Sequence, residues 1–311
     1  VRRPAAVLSL TVLISAPAVA QRAPRLELLD TAVLRAPRLI ESSGAAASHR
    51  VRGVIWTHND SGDEPRLYAT DSSGDDLGSV FVAGARNIDW EDLGSGACPG
   101  HSGWCLYPAD IGDNGHNRNH IVIYCLAEPE PPRGSADTLR RVQLESATAL
   151  RYPDHPHDAE AIAVDPRGRV FIITKELSKP PFVFLVPRRA TEQGAGEVDT
   201  LQFVGSLALV PSIPRLRMVT GADVSPDGAV LVVRTYSTLH FFRLRGDSLP
   251  SPITPPTGLT IPVVEPQGEG VAFLGPDLLA LTTERGDADH AIVSRVRIVG
   301  LPQALKRSFS P

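Results

Sequence analysis

Carboxylates recur in one kind of setting along this sequence. Glu91 stands in Asp89-Trp90-Glu91-Asp92-Leu93, Glu160 in Asp158-Ala159-Glu160-Ala161-Ile162, Asp223 in Thr220-Gly221-Ala222-Asp223-Val224, and Glu269 in Gln267-Gly268-Glu269-Gly270-Val271. Each copy is a small or polar pair, an acid, and then an apolar run; residues 42–48 repeat the frame without the acid. Carboxylates gathered on one axis repel each other unless a cation, a proton or a basic side chain neutralises them. A second polar set closes the apolar runs that follow: His58, Asn59 and Asp60; Asp110, Asp113 and Asn114; Lys175 and Glu176; Arg234 and Tyr236; Glu284. Acids, amides and bases sharing one cleft suit acid–base chemistry on a polar substrate such as a sugar, a phosphate ester or a lactone.

Roles follow from residue type. Glu91, Asp110, Asp113 and Asn114 offer hard oxygen ligands, which favour Ca²⁺ over zinc. His58 or Glu160 reads as a general base, with Lys175 and Arg234 stabilising developing negative charge. Asn59, Asp60, Glu176, Asp223, Tyr236, Glu269 and Glu284 read as ligand-binding. The function expected is calcium-assisted hydrolysis of a polar small substrate. Two competing readings stand beside it. Each acid could tie down a neighbouring repeat by accepting backbone N–H bonds, and the same mouth would serve a non-catalytic module that binds a ligand or a protein. No G-x-S-x-G, H-E-x-x-H or phosphate-binding glycine loop is present. His155-x-His157, flanked by Pro153 and Pro156, reads as an exposed turn.

What must position these residues is a repeat. Apolar runs of five to eight residues alternate with turn signals such as Asp165-Pro166-Arg167-Gly168 and Ser225-Pro226-Asp227-Gly228. The carboxylate frames recur every roughly 45 to 70 residues, and four short strands fit each repeat. Such a period marks a β-propeller, whose innermost strands line a central channel. The longer steps are absorbed by insertions at residues 128–139 and 187–199. The fold expected is all-β: a single propeller over residues 21–311 with five four-stranded blades, six being the alternative. The fifth repeat lacks an outer strand, and residues 21–41 carry a spare one. An N-terminal strand closing the ring would remove two exposed edges.

Residues 1–20 read as a signal peptide: Arg2 and Arg3, a short apolar run, then Ala18-Val19-Ala20. The expected location is therefore periplasmic or extracellular. There the closely spaced Cys98 and Cys105 are expected to form a disulfide, and Cys125, inside an apolar run, a buried free thiol. The net charge is −4, and removing the two arginines makes it more negative, which argues against a nucleic-acid partner. No further segment is long and apolar enough to span a membrane. The chain reads as a monomer whose partner is a polar small molecule or glycan.

The runs WTHNDSGDEPRLYATD, DWEDL, LYPADIGDN, DAEAIAVDPRGRVFIITKE, TGADVSPDG and PQGEGVAF resemble a group of exported bacterial β-propeller proteins without an assigned activity. The resemblance covers most of the mature chain. More distantly, the chain is similar to the calcium-dependent lactonases and the phytase-like esterases. That second likeness is architectural, and it transfers no activity without matching site residues.

Overall fold

The computed structural model describes residues 24–132, 140–188, 190, 197–209, 213–244, 259–265, 267–285 and 290–299. The expected signal segment lies outside them. The regular structure of the described chain is almost wholly strand; helix is confined to short turns such as the 3-10 turn Pro214–Arg217.

After β1 (Arg25–Val33), five sheets follow in chain order. The first blade is β2 (Ser42–Ala47), β3 (Val54–Asn59), β4 (Arg66–Asp71) and β5 (Asp76–Ala83). The second is β6 (Trp90–Ala97), β7 (Trp104–Asp110) and β8 (Ile121–Ala127), then β10 (Ser146–Arg151), with β9 (Arg140–Gln143) leaving to pair in parallel with β5. The third is β11 (Ala159–Val164), β12 (Val170–Thr174), β13 (Phe182–Leu185) and β15 (Gln202–Ser206), with the two-residue β14 (Asp199–Thr200) laid parallel against β10. The fourth is β16 (Val219–Val224), β17 (Val230–Thr235), β18 (Thr238–Arg243) and β19 (Leu259–Pro262). The fifth is β20 (Gly268–Phe273), β21 (Leu278–Thr283) and β22 (Ile292–Val299), with β1 antiparallel to β22 on its outer side. The blades number five rather than six.

Two outer strands differ from the sequence reading. Four strands to each repeat implies one outer strand within residues 140–151 and one within 199–206. Each region instead divides, a short piece pairing in parallel with the preceding blade and the rest completing its own. Period-two alternation cannot foretell this, because either sheet edge satisfies the same backbone groups.

The core lies between blades. Between the first two it contains Trp56, Trp90, Leu93 and Leu106, and the Trp90 indole N–H donates to the Arg86 carbonyl at 2.8 Å. Neighbouring inner strands pack against one another around the ring: β2 on β6, β6 on β11, β11 on β16, β16 on β20 and β20 on β2. They approach closely. A Cβ on Gly44 would overlap the backbone of Asp92 and Leu93, so β2 can reach β6 only through glycine. Cys98 and Cys105 are bridged at 2.04 Å, and Cys125 is free and buried. Among the described residues no helix is long and apolar enough to cross a membrane.

Candidate functional site

Every inner strand begins with a β-bulge. The pairing register slips between Ser42 and Ala45, Trp90 and Asp92, Ala159 and Ala161, Val219 and Gly221, and Gly268 and Val271. A bulge re-aims the extra residue and leaves it out of the ladder. The five equivalent side chains are thus Ser43, Glu91, Glu160, Thr220 and Glu269. The two hydroxyls are spent on neighbouring blades: Ser43 donates to the Glu91 carbonyl at 2.9 Å and Thr220 to the Gly268 carbonyl at 2.9 Å. The three carboxylates remain, each 4–5% exposed, at one end of the channel.

Around them gather more acids than bases. Glu91 and Glu160 hydrogen-bond each other, and Lys175 Nζ donates to Glu160 Oε1 at 2.6 Å. Burial, then the charges of Glu160, Asp60 and Asp89, push the Glu91 carboxyl well up. Burial raises Glu160 as well, against the opposing pull of Lys175. Burial lifts Asp89 to about 6, helped by Asp60 and Asp158, and lifts Glu284 to about 7, helped by Asp60 and Glu41. Glu269 is raised by burial and by Glu284, and its Oε2 is buried with no hydrogen-bond partner among the described residues. Burial works against the charge on Lys175; the acids around it outweigh that effect, and its pKa rises. Its ammonium also lies 5.7 Å from the Tyr236 ring.

Two groups of oxygens lie close enough to share one ion. Asp60, Asp89 and Glu91 offer ligand atoms within 4.8 Å of one another, as do Glu91, Asp158 and Glu160. Glu91 belongs to both. Gly112 makes room for them: a Cβ there would overlap Glu91 Oε1 and the Asp89 carboxylate. Asp158 is fixed by accepting the Asp113 N–H at 2.8 Å. Beside the mouth, Leu177, Arg215, Met218 and Tyr236 line a recess of about 400 Å³.

The other candidates lie elsewhere or serve the frame. Asp223 is not equivalent to the three glutamates; it sits three residues beyond Thr220, towards the opposite end of the channel. There it accepts the Phe273 N–H at 2.7 Å and its neighbour's at 2.8 Å, tying blade four to blade five. Asp110 pairs with Arg118 at 2.8 Å, Asp113 accepts the N–H groups of Asn117 and Arg118, and Asn114 is exposed, so the structure does not gather these three around Glu91. His58 is 0% exposed, with Nδ1 2.8 Å from the Asn59 carbonyl and its ring edge-on to Trp90. Arg234 is buried beneath the mouth, donating to the Gly270 and Thr282 carbonyls and to Glu265 at 2.7 Å. Asn59 holds the entry loop through the Ile40 and Glu41 N–H groups. Glu176 turns away from the axis to His157, at 3.3 Å. Glu284 accepts from Gln267 at 3.2 Å on the rim.

Sequence reading missed Asp89, Asp158 and Asp92. The first two open an Asp-x-Glu repeated at the same point of consecutive blades, a signal that was legible. Asp92 crosses the channel: its Oδ2 accepts N–H bonds from Ile162 at 2.9 Å and from Ala222 at 3.2 Å, joining three blades.

The sequence matches no protein-family model, and no curated protein matches it. Among solved structures, a PQQ-bound aldose sugar dehydrogenase from Streptomyces coelicolor is similar, with a TM-score of 0.48 and 14% identity over 88% of this chain and 98% of that one. So distant a likeness brings neither cofactor nor substrate to this chain.

Proposed function

We propose that the axial mouth binds a calcium ion and hydrolyses a polar small ester-type substrate, a lactone or phosphate ester before a glycan. What carries the reading is the convergence of Asp60, Asp89, Glu91, Asp158 and Glu160 into two overlapping oxygen sets beside a single lysine. The donors fit the ion. All are carboxylate oxygens, the ligand class calcium prefers, and the raised pKa values of Asp89 and Glu91 mark a site short of positive charge. Asp60, Asp89 and Glu91 would hold it. Bound there, calcium supplies the charge that keeps these carboxylates ionised and polarises a substrate oxygen.

The protein groups then divide the work. Glu160 takes a proton from water as the water oxygen bonds to the acyl or phosphoryl centre. Lys175 and the Tyr236 hydroxyl face the oxygen that gains charge. As the bond to the leaving oxygen breaks, Glu160 returns the proton to it, so acid and alcohol leave with the water's atoms shared between them. The recess against Leu177 and Met218 receives the substrate's less polar part. His58 and Arg234 support the floor from below. The Cys98–Cys105 disulfide supports action outside the cytoplasm, and we take the working unit to be the monomer.

The test is a screen of lactones, phosphate esters and glycosides with calcium and with chelator. Turnover that requires calcium and falls at least ~100-fold in Glu160→Gln supports the reading. Calcium binding with no turnover on any class would leave a non-catalytic ligand-binding propeller in its place.

A further inference from the structure

A second cluster lies outside the axial mouth. Asp154, His155 and His157 place one ligand atom each within 4.8 Å of the others. The two positions next to it in sequence face opposite ways: Asp158 and Lys175 point to the axis, while His157 and Glu176 meet on the outer side. His157 was expected in an exposed turn; it is 2% exposed and held edge-on by Tyr152 at 4.8 Å and Phe182 at 5.4 Å.

Hydrogen bonds hold both rings in place. His157 Nδ1 lies 3.3 Å from Glu176 Oε1, and His155 Nδ1 lies 3.0 Å from the Pro156 carbonyl. Each Nδ1 is thus engaged on the side away from Asp154. Each Nε2 faces Asp154. His157 Nε2 is 3.1 and 3.2 Å from the two Asp154 oxygens, and His155 Nε2 is 3.7 Å from Oδ2. A cation between them would be ligated by two imidazole nitrogens and one carboxylate oxygen. Ligands at ~2.1 Å from a tetrahedral ion are ~3.4 Å apart, and these separations bracket that distance. A carboxylate behind the distal nitrogen is also the usual outer-shell partner of a metal-bound histidine.

We propose that Asp154, His155 and His157 form a site for a divalent transition metal of the zinc class, oriented by Glu176 and separate from the axial calcium site. Imidazole nitrogens select such an ion where the all-oxygen mouth does not. Three protein ligands leave a fourth position. It opens to a cavity of about 180 Å³ lined in part by Arg118, Arg151 and Tyr152, with room for water or a small anion.

The test uses the untagged full chain, stripped with chelator, and zinc alone as the probe in competition with a chromophoric chelator. One equivalent should bind tightly. His155→Ala removes an exposed ligand whose ring lies 4.3 Å from that of His157 and should weaken binding at least ~10-fold with little change in melting temperature; Glu176→Gln should weaken it ~10-fold or more through the outer shell. Glu91→Gln should leave zinc affinity unchanged. Stoichiometric binding that survives in both His155→Ala and His157→Ala would overturn the assignment. So would loss of zinc in Glu91→Gln, or no zinc uptake by the parent chain.

Discussion

Raising the pH from about 4 to about 8 in chelator should destabilise this protein. Asp89 lies at about 6 and Glu284 at about 7, against ordinary values of 3.8 and 4.5. Both are raised in the folded state, so between roughly pH 4 and 7 the folded chain binds more protons than the unfolded one. Stability then falls as the pH rises through that window and levels off above it. At ~1.4 kcal/mol per unit the two shifts amount to ~6 kcal/mol in full; both groups touch water, and halving for screening leaves ~3 kcal/mol. Glu91, Glu160, Glu269 and Asp158 act in the same direction. Asp223, lifted by burial to about 7, adds to the decline; His240, lowered by burial to about 4, and His49 and His58, also lowered by burial, work against it below about pH 6.5, and the exposed Asp30 and Glu64, held low by Arg295 and Arg66, oppose it weakly. For a chain of this size the drop in melting temperature is roughly 5–10 °C. Scanning calorimetry in chelator measures it, and excess calcium should flatten the decline by favouring the ionised carboxylates. A melting temperature that climbs steadily from pH 4 to 8 in chelator would refute the reasoning.

Four further expectations concern the frame. Asp92→Ala leaves the Ile162 and Ala222 N–H groups without their acceptor and should cost about 2–4 kcal/mol in denaturant unfolding; a loss under 0.5 kcal/mol would mean the axial crossing is idle. Removing residues 25–33 bares the edge of β22, so the truncated chain should self-associate on size exclusion, and a monomer of unchanged stability would show that β1 does not close the ring. Reducing the Cys98–Cys105 bridge, whose cysteines are seven residues apart, should cost about 2 kcal/mol. Cys125, pushed up to about 12 first by burial, should stay unlabelled by thiol reagents until the chain unfolds.

The propeller was legible because strand runs and turn residues punctuate the chain at a steady period, and because the sheet faces demand apolar alternation. The site was legible only in part. Glu91, Glu160 and Glu269 could be placed at equivalent points of their blades because an acid in an apolar frame is conspicuous. Asp223 was added by residue type, whereas equivalence is set by the bulge, and the bulge of blade four is filled by Thr220. A shift of three residues along a strand moves a side chain about 10 Å down the channel, which no composition argument registers. Asp110 and Asp113 drew notice as oxygen donors, yet backbone N–H groups and Arg118 had prior claim on them. His157 was discounted for its prolines; those prolines set the turn that brings His155 and Asp154 against it.

The most direct test of the central claim is calcium titration of the chelator-stripped chain by calorimetry, run beside Glu91→Gln. Glu91 is common to both oxygen sets, so the account predicts saturable calcium binding by the parent chain and a loss of at least ~10-fold in affinity with Glu91→Gln. Equal calcium affinity in the two proteins, or no calcium binding by the parent, would contradict it.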